Sequence, residues 1–114
     1  MSSFKSSRKI VLLPNDNKIS FTFQITECSS AVSNDGFRPF GIDVTSVIAT
    51  CVTEDGTAVS SIFTTPTPSV ASNVITVTLK YPTEGEGRYY LTFVMGMSNG
   101  SQMAADFQRV FAEV

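Results

Sequence analysis

Alternation of hydrophobic and polar positions with a period of two is the dominant signal along this chain. From Lys18 to Thr26, Ile19, Phe21, Phe23 and Ile25 fall on one face and Ser20, Thr22, Gln24 and Thr26 on the other. That is a strand with one buried and one wet side. From Asn73 to Tyr81 the pattern recurs, with Ile75, Val77, Leu79 and Tyr81 opposed to Val74, Thr76, Thr78 and Lys80. Pro82 then stops it, because proline has no N–H to give to a ladder. Further strands are expected over residues 8–13, 45–53, 58–63, 88–97 and 103–113, punctuated by Pro14-Asn15-Asp16-Asn17, Glu54-Asp55-Gly56-Thr57 and Asn99-Gly100. These are turn-forming combinations, and the second predicts a hairpin between residues 45–53 and 58–63. No window of helical length carries a 3.6-residue period. About seven short strands predict an all-β antiparallel sandwich, with Phe21, Phe23, Val77, Leu91 and Phe93 in its core.

Composition agrees with that class. The 114 residues are 42% apolar and 16% charged, which suits one folded domain with its own core, here expected over residues 10–114. Residues 1–9 hold Lys5, Arg8 and Lys9 among serines and are expected to be a flexible basic tail. From Ile10 onward five basic residues face ten acidic ones, a formal charge of −5. A net-negative body lacks the cationic face that phosphate contacts require, so no nucleic-acid partner is expected. The apolar run Ile10–Leu13 is too short for a signal-peptide core or a membrane span. The expectation is therefore a protein made in the cytoplasm, with no membrane partner.

The segment Gly87-Arg88-Tyr89-Tyr90-Leu91-Thr92-Phe93 reads as a turn feeding a strand. It resembles the strand of immunoglobulin-type sandwiches that begins Gly-x-Tyr-x-Cys. The resemblance implies that Tyr89 covers the corner with its hydroxyl bonded to backbone upstream, and that Leu91 stands in the place of the cysteine. The other markers of that fold are absent, and Phe23 and Val47 or Ala49 stand in as plain core residues. From Thr45 onward, the Val47-x-Ala49-x-Cys51 strand, the Glu-Asp-Gly turn, a Pro-rich loop, Val74-Ile75-Thr76-Val77-Thr78-Leu79 and the Gly87 strand together resemble small immunoglobulin-like proteins of bacteriophage and prophage structural genes. That resemblance implies a virion-associated, non-enzymatic role.

Candidate chemistry is sparse. Without a histidine the chain cannot assemble a Ser-His or Cys-His nucleophile. Cys28 and Cys51 form no metal-binding pair, and opposed strand phases predict that they stay unbridged. Glu84, Glu86 and Asp106 are the only set from which a carboxylate-dependent enzyme is conceivable, and solvated turn acids explain them more simply. Asn15-Asp16-Asn17 and Asn34-Asp35-Gly36 are only fragments of a calcium loop. No metal, cofactor or small-molecule substrate is expected.

Two features point to recognition. The loop over residues 27–43 is long and contains Phe37-Arg38-Pro39-Phe40; with the 97–102 loop beside it, Phe37, Arg38 and Phe40 form a candidate glycan- or receptor-binding surface. The alternative for Phe37 and Phe40 is a lid folded onto the core. The second feature follows from strand phase. If Val47, Ala49 and Cys51 face inward with Tyr89, Leu91 and Phe93, then Ile48, Val52, Tyr90 and Val94 point outward. Such an apolar stripe predicts a protein partner, foremost a second copy of the chain or a virion assembly; coverage by the amino-terminal segment or the long loop is the alternative.

Overall fold

The computed structural model describes residues 2–64 and 68–114, the side chain of Ser2 excepted. Its elements are β1 (Ser2–Leu12), β2 (Ile19–Gln24), β3 (Val44–Thr53), β4 (Ser69–Ala71), β5 (Val74–Leu79), β6 (Gly87–Met97) and β7 (Gln102–Ala112), with no helix among the described residues. One sheet has the order β1-β7-β6-β3 and the other β2-β5-β4. The fold is an all-β sandwich of seven strands. All strand pairs are antiparallel except β1 with β7, which run parallel.

Inward phases in β2, β5 and β6 are those that the alternation dictates; in β7, Phe107 and Val110 are three residues apart and both face inward because the register with β6 shifts between Tyr89 and Leu91. Phe21, Ile75, Val77, Leu79, Tyr89, Leu91, Phe93, Met95, Phe107 and Val110 are all buried. Phe23 is half-buried but belongs to the same ring cluster, with centroids 4.9 Å from both Phe93 and Phe107. Phe21 meets Phe107 edge-on at 5.1 Å. Two rings from β2 thus interlock with one each from β6 and β7, joining the sheets across the core.

Two expectations about the elements are corrected. Residues 2–9, expected as a frayed tail, lie in β1, where Ser2 to Ser6 pair with Met103 to Phe107 and Lys9 to Leu12 with Arg109 to Ala112. The register shift between the two halves lets Arg8 turn aside: its Nη1 donates to the Thr22 carbonyl at 2.9 Å and its guanidinium lies 4.3 Å from the Phe21 ring centroid. The backbone ladder and this cation–π contact outweigh the charge that suggested a solvated end.

The strand expected over 58–63 is absent. The Glu54–Thr57 turn does form, with Gly56 N–H donating to Thr53 O at 3.0 Å and Gly56 at φ 92°. Its return limb, however, makes one bridge, Ala58 opposite Val52, and leaves. Val59 and Ile62 are buried in the core and draw the chain across to the other sheet, where Phe63 bridges Leu79. The fourth strand is instead Ser69–Ala71, joined to β5 by Ser72-Asn73, both with positive φ. Asn73 then pins the start of β3: its Oδ1 accepts from Val44 N–H at 2.7 Å and its Nδ2 donates to Asp43 Oδ1 at 3.1 Å.

Candidate interaction surface

The outer face of the four-stranded sheet carries the apolar residues that strand phase assigns to it. Ile48 stands opposite Val94, and Val52 opposite Tyr90. Ile48 is 66% exposed, whereas Val52, Tyr90 and Val94 are half-buried. All four therefore share one face, but the stripe is not unbroken. The pair Thr50–Thr92 lies between its two apolar halves. One half continues from Val94 to Ala104; beside the other, Arg88 pairs with Phe111, and Phe111 with Val11. The Arg88 guanidinium sits 5.2 Å from the Tyr90 centroid and 5.8 Å from that of Phe111, and Lys9 Nζ lies 5.5 Å from Phe111. Arg88 and Tyr90 are neighbours on one face of β6, but alternation had no means of showing Lys9 and Arg88 beside the Phe111 ring, because those contacts join different strands.

What covers this face matters as much as what composes it. The amino-terminal segment does not lie over it, since β1 extends the sheet sideways from β7. Nor does the long loop, which packs at the end of the sandwich. Gly96 lets Ser46 lie close against β6, for a Cβ there would collide with Ser46 Oγ.

The long loop is folded on itself. Thr26 O accepts from Phe37 N–H at 2.8 Å and from Arg38 N–H at 2.9 Å, while Cys28 N–H donates to Arg38 O at 2.8 Å. Arg38, expected as a recognition residue, is only 4% exposed. Its Nη1 donates to Ile42 O at 2.6 Å and its Nε to Ile25 O at 3.3 Å, with Glu27 and Asp43 carboxylates each 3.7 Å from Nη1. The guanidinium is the internal brace of the loop and is not available to an incoming ligand. Phe37 is half-buried, packed on the core with its ring 5.6 Å from Phe4. Of the three, only Phe40 faces solvent, at 51% exposed. The neighbouring 97–102 loop does lie alongside, through Ser98 N–H to Asp43 O at 2.8 Å and Asp43 N–H to Ser98 Oγ at 3.0 Å.

At the opposite end, Glu84 and Glu86 line an open cleft of about 370 Å³ with Thr53, Glu54, Asp55, Thr57, Gly87, Arg88 and Tyr89. Asp106 is not there; it lies on β7 opposite Thr92, on the outer sheet face. The three carboxylates thus do not converge. Hydrogen bonds explain the local acid chemistry: the Ser61 hydroxyl, followed by the backbone N–H of Glu84, holds the Glu84 carboxyl below its ordinary value, with Ser61 Oγ 2.5 Å from Oε1. The Thr53 and Thr57 hydroxyls do the same for Asp55. Among the described residues no group of His, Cys, Asp and Glu is placed to hold a metal. Both cysteines are unbridged. Cys28 Sγ is 3.3 Å from Gly36 O inside the loop, and burial, with a smaller contribution from the Glu84 charge, pushes the Cys51 thiol up to about 12.

Compared with models of known protein families and with curated proteins, the chain matches none.

Proposed function

We propose that this chain is a non-enzymatic interaction module that assembles with copies of itself through the outer face of the β1-β7-β6-β3 sheet. The observation that carries the reading is the placement of Ile48, Val94, Val52 and Tyr90 on one sheet face, with Ile48 66% exposed and the other three half-buried. Burying apolar surface gains roughly 25 cal/mol per Å², so an assembly that covers the row is favoured over one that leaves it wet. Replacing Tyr90 and Val94 together by Glu should leave the strand spectrum intact and lower the mass found by light scattering. An unmodified protein that stays monomeric at high concentration would overturn the self-contact.

The finer reading is an immunoglobulin-like module. It is supported by the strand order, by β1 running parallel to β7, and by the Tyr89 hydroxyl, which donates to Gly85 O at 2.6 Å as the tyrosine corner requires. A virion-associated role extends that reading and rests on the resemblance of the second half to small phage structural proteins. Neighbouring genes for terminase, portal or tail proteins would support it; a neighbourhood of unrelated metabolic genes would remove it.

A further inference from the structure

The 27–43 loop is tied to itself by side chains as well as by backbone. Besides the bonds of Thr26, Cys28 and Arg38, Ser29 N–H donates to Asp35 Oδ1 at 3.0 Å and Gly41 N–H to Glu27 Oε2 at 2.8 Å. Gly36 presses on the opposite limb so closely that a Cβ there would lie 2.5 to 2.6 Å from backbone atoms of Glu27 and Cys28. A loop braced in this way keeps its surface in one shape before any ligand arrives, which lowers the cost of ordering on binding.

The loop forms a cleft of about 290 Å³ whose lining includes Ser30, Ser33, Asn34, Phe37, Pro39 and Phe40. That is the small end of the roughly 300 to 1,000 Å³ usual for ligand clefts, so it suits a single ring better than a chain. No residue lining it is charged. The only charged residues between Cys28 and Phe40 are Asp35 and Arg38, and they are engaged elsewhere, by Ser29 N–H and by the carbonyls of Ile25 and Ile42. The hydroxyls of the cleft have a donor to spare. Ser29 Oγ donates to Ser33 Oγ at 3.3 Å, and Ser30 and Ser33 Oγ share one hydrogen bond at 2.7 Å. Three hydroxyl protons thus serve two bonds. Whichever of Ser30 and Ser33 donates to the other, the second keeps a proton with no protein acceptor among the described residues, and both line the cleft. The exposed Asn34 amide adds two donors and an acceptor.

We infer that this cleft binds one neutral sugar ring, with a C–H face of the ring on Phe40 and ring hydroxyls paired to Ser30 or Ser33 and to Asn34. A charged ligand would meet no counter-ion among the lining residues and would lose hydration on entering. A wholly apolar one would cover the spare hydroxyl proton and the Asn34 amide without pairing them. A sugar ring has what both parts of the cleft lack: C–H groups for the negative face of a half-exposed phenyl ring, and hydroxyls that both donate and accept. The site lies on the long loop, away from the outer sheet face, and does not depend on the self-contact proposed above.

Saturation-transfer NMR on the intact chain tests the site, with glucose, galactose, mannose and N-acetylglucosamine as probes, each at millimolar concentration as the free sugar and as its methyl glycoside. At least one of them should receive saturation from the protein. Phe40→Ala should abolish the transfer, Phe40→Tyr should keep it, and Asn34→Ala should weaken binding several-fold. Both positions are exposed, so an amide spectrum unchanged outside the loop shows that each variant is folded. Transfer to a methyl glycoside supports a ring at the end of a glycan chain, and transfer to a free sugar alone supports a soluble ligand in the same cleft. Tyr90→Glu with Val94→Glu should leave binding unchanged, because those residues lie on the outer sheet face. No transfer to any of these probes, transfer that survives Phe40→Ala undiminished, or cyclohexanol bound as well as the best sugar would each overturn the site.

Discussion

Arg38 shows how far a single residue's role depends on where its neighbours fold. An arginine between two phenylalanines in a long loop has the composition of a recognition site, yet its guanidinium is turned inward to the carbonyls of Ile25 and Ile42 and to the acids Glu27 and Asp43. Removing it leaves buried carbonyls without a donor. Arg38→Ala should therefore destabilise the fold by about 3 kcal/mol, whereas Phe40→Ala should change stability by less than about 0.5 kcal/mol; urea unfolding of the two variants measures both. Cys51 is the second informative residue. Its thiol is raised from 9.0 to about 12 in the folded chain, so between those values the folded state holds a proton that the unfolded state releases. Its contribution to stability is fully present below about pH 9 and is lost as the pH climbs toward 12. Denaturant midpoints should fall across that window and fall less in Cys51→Ala. At neutral pH a thiol reagent should label Cys51 only on unfolding.

At the scale of the element, the strands most legible in the sequence were those whose two faces differ. β2 and β5 were read within two residues of their ends because each has one wet and one buried side. β6 and β7 were found from their turns, Gly87 at one end and Asn99-Gly100 between them, the latter closed by Gly100 N–H to Met97 O at 2.9 Å. The expected strand over 58–63 failed because its apolar residues signalled burial without saying in which sheet. β4 went unread because three residues cannot display a period. For Tyr89, at the mouth of β6, the resemblance of its segment implied a hydroxyl bonded to backbone upstream, and its bond to Gly85 O closes the turn before the strand. Tyr89→Phe should cost about 1 kcal/mol, measurable as a lowered melting temperature with an unchanged strand spectrum.

For the whole molecule, the rings of Phe21, Phe23, Phe93 and Phe107 are the contact between sheets. Truncating Phe93, which is fully buried among them, should cost about 3 to 5 kcal/mol. That is a large share of the roughly 5 to 15 kcal/mol available to a domain, and calorimetry on Phe93→Ala should find the chain unfolded or close to it at 37 °C. The described residues measure 47 × 22 × 20 Å. On so elongated a body the outer sheet face offers a long surface for the proposed self-contact.

The sequence by itself determined the class of fold, the face to which each alternating residue belongs and the outward placement of Ile48, Val52, Tyr90 and Val94. A two-residue period sets those things locally, through the pleat of a single strand. Only the tertiary structure decided which strands are neighbours, and with that the fate of the charged residues. Pairing with β7 turned a basic tail into β1, and closure of the 27–43 loop buried Arg38. Those outcomes depend on backbone groups and cations meeting across long stretches of chain, and no local pattern of side chains records such meetings.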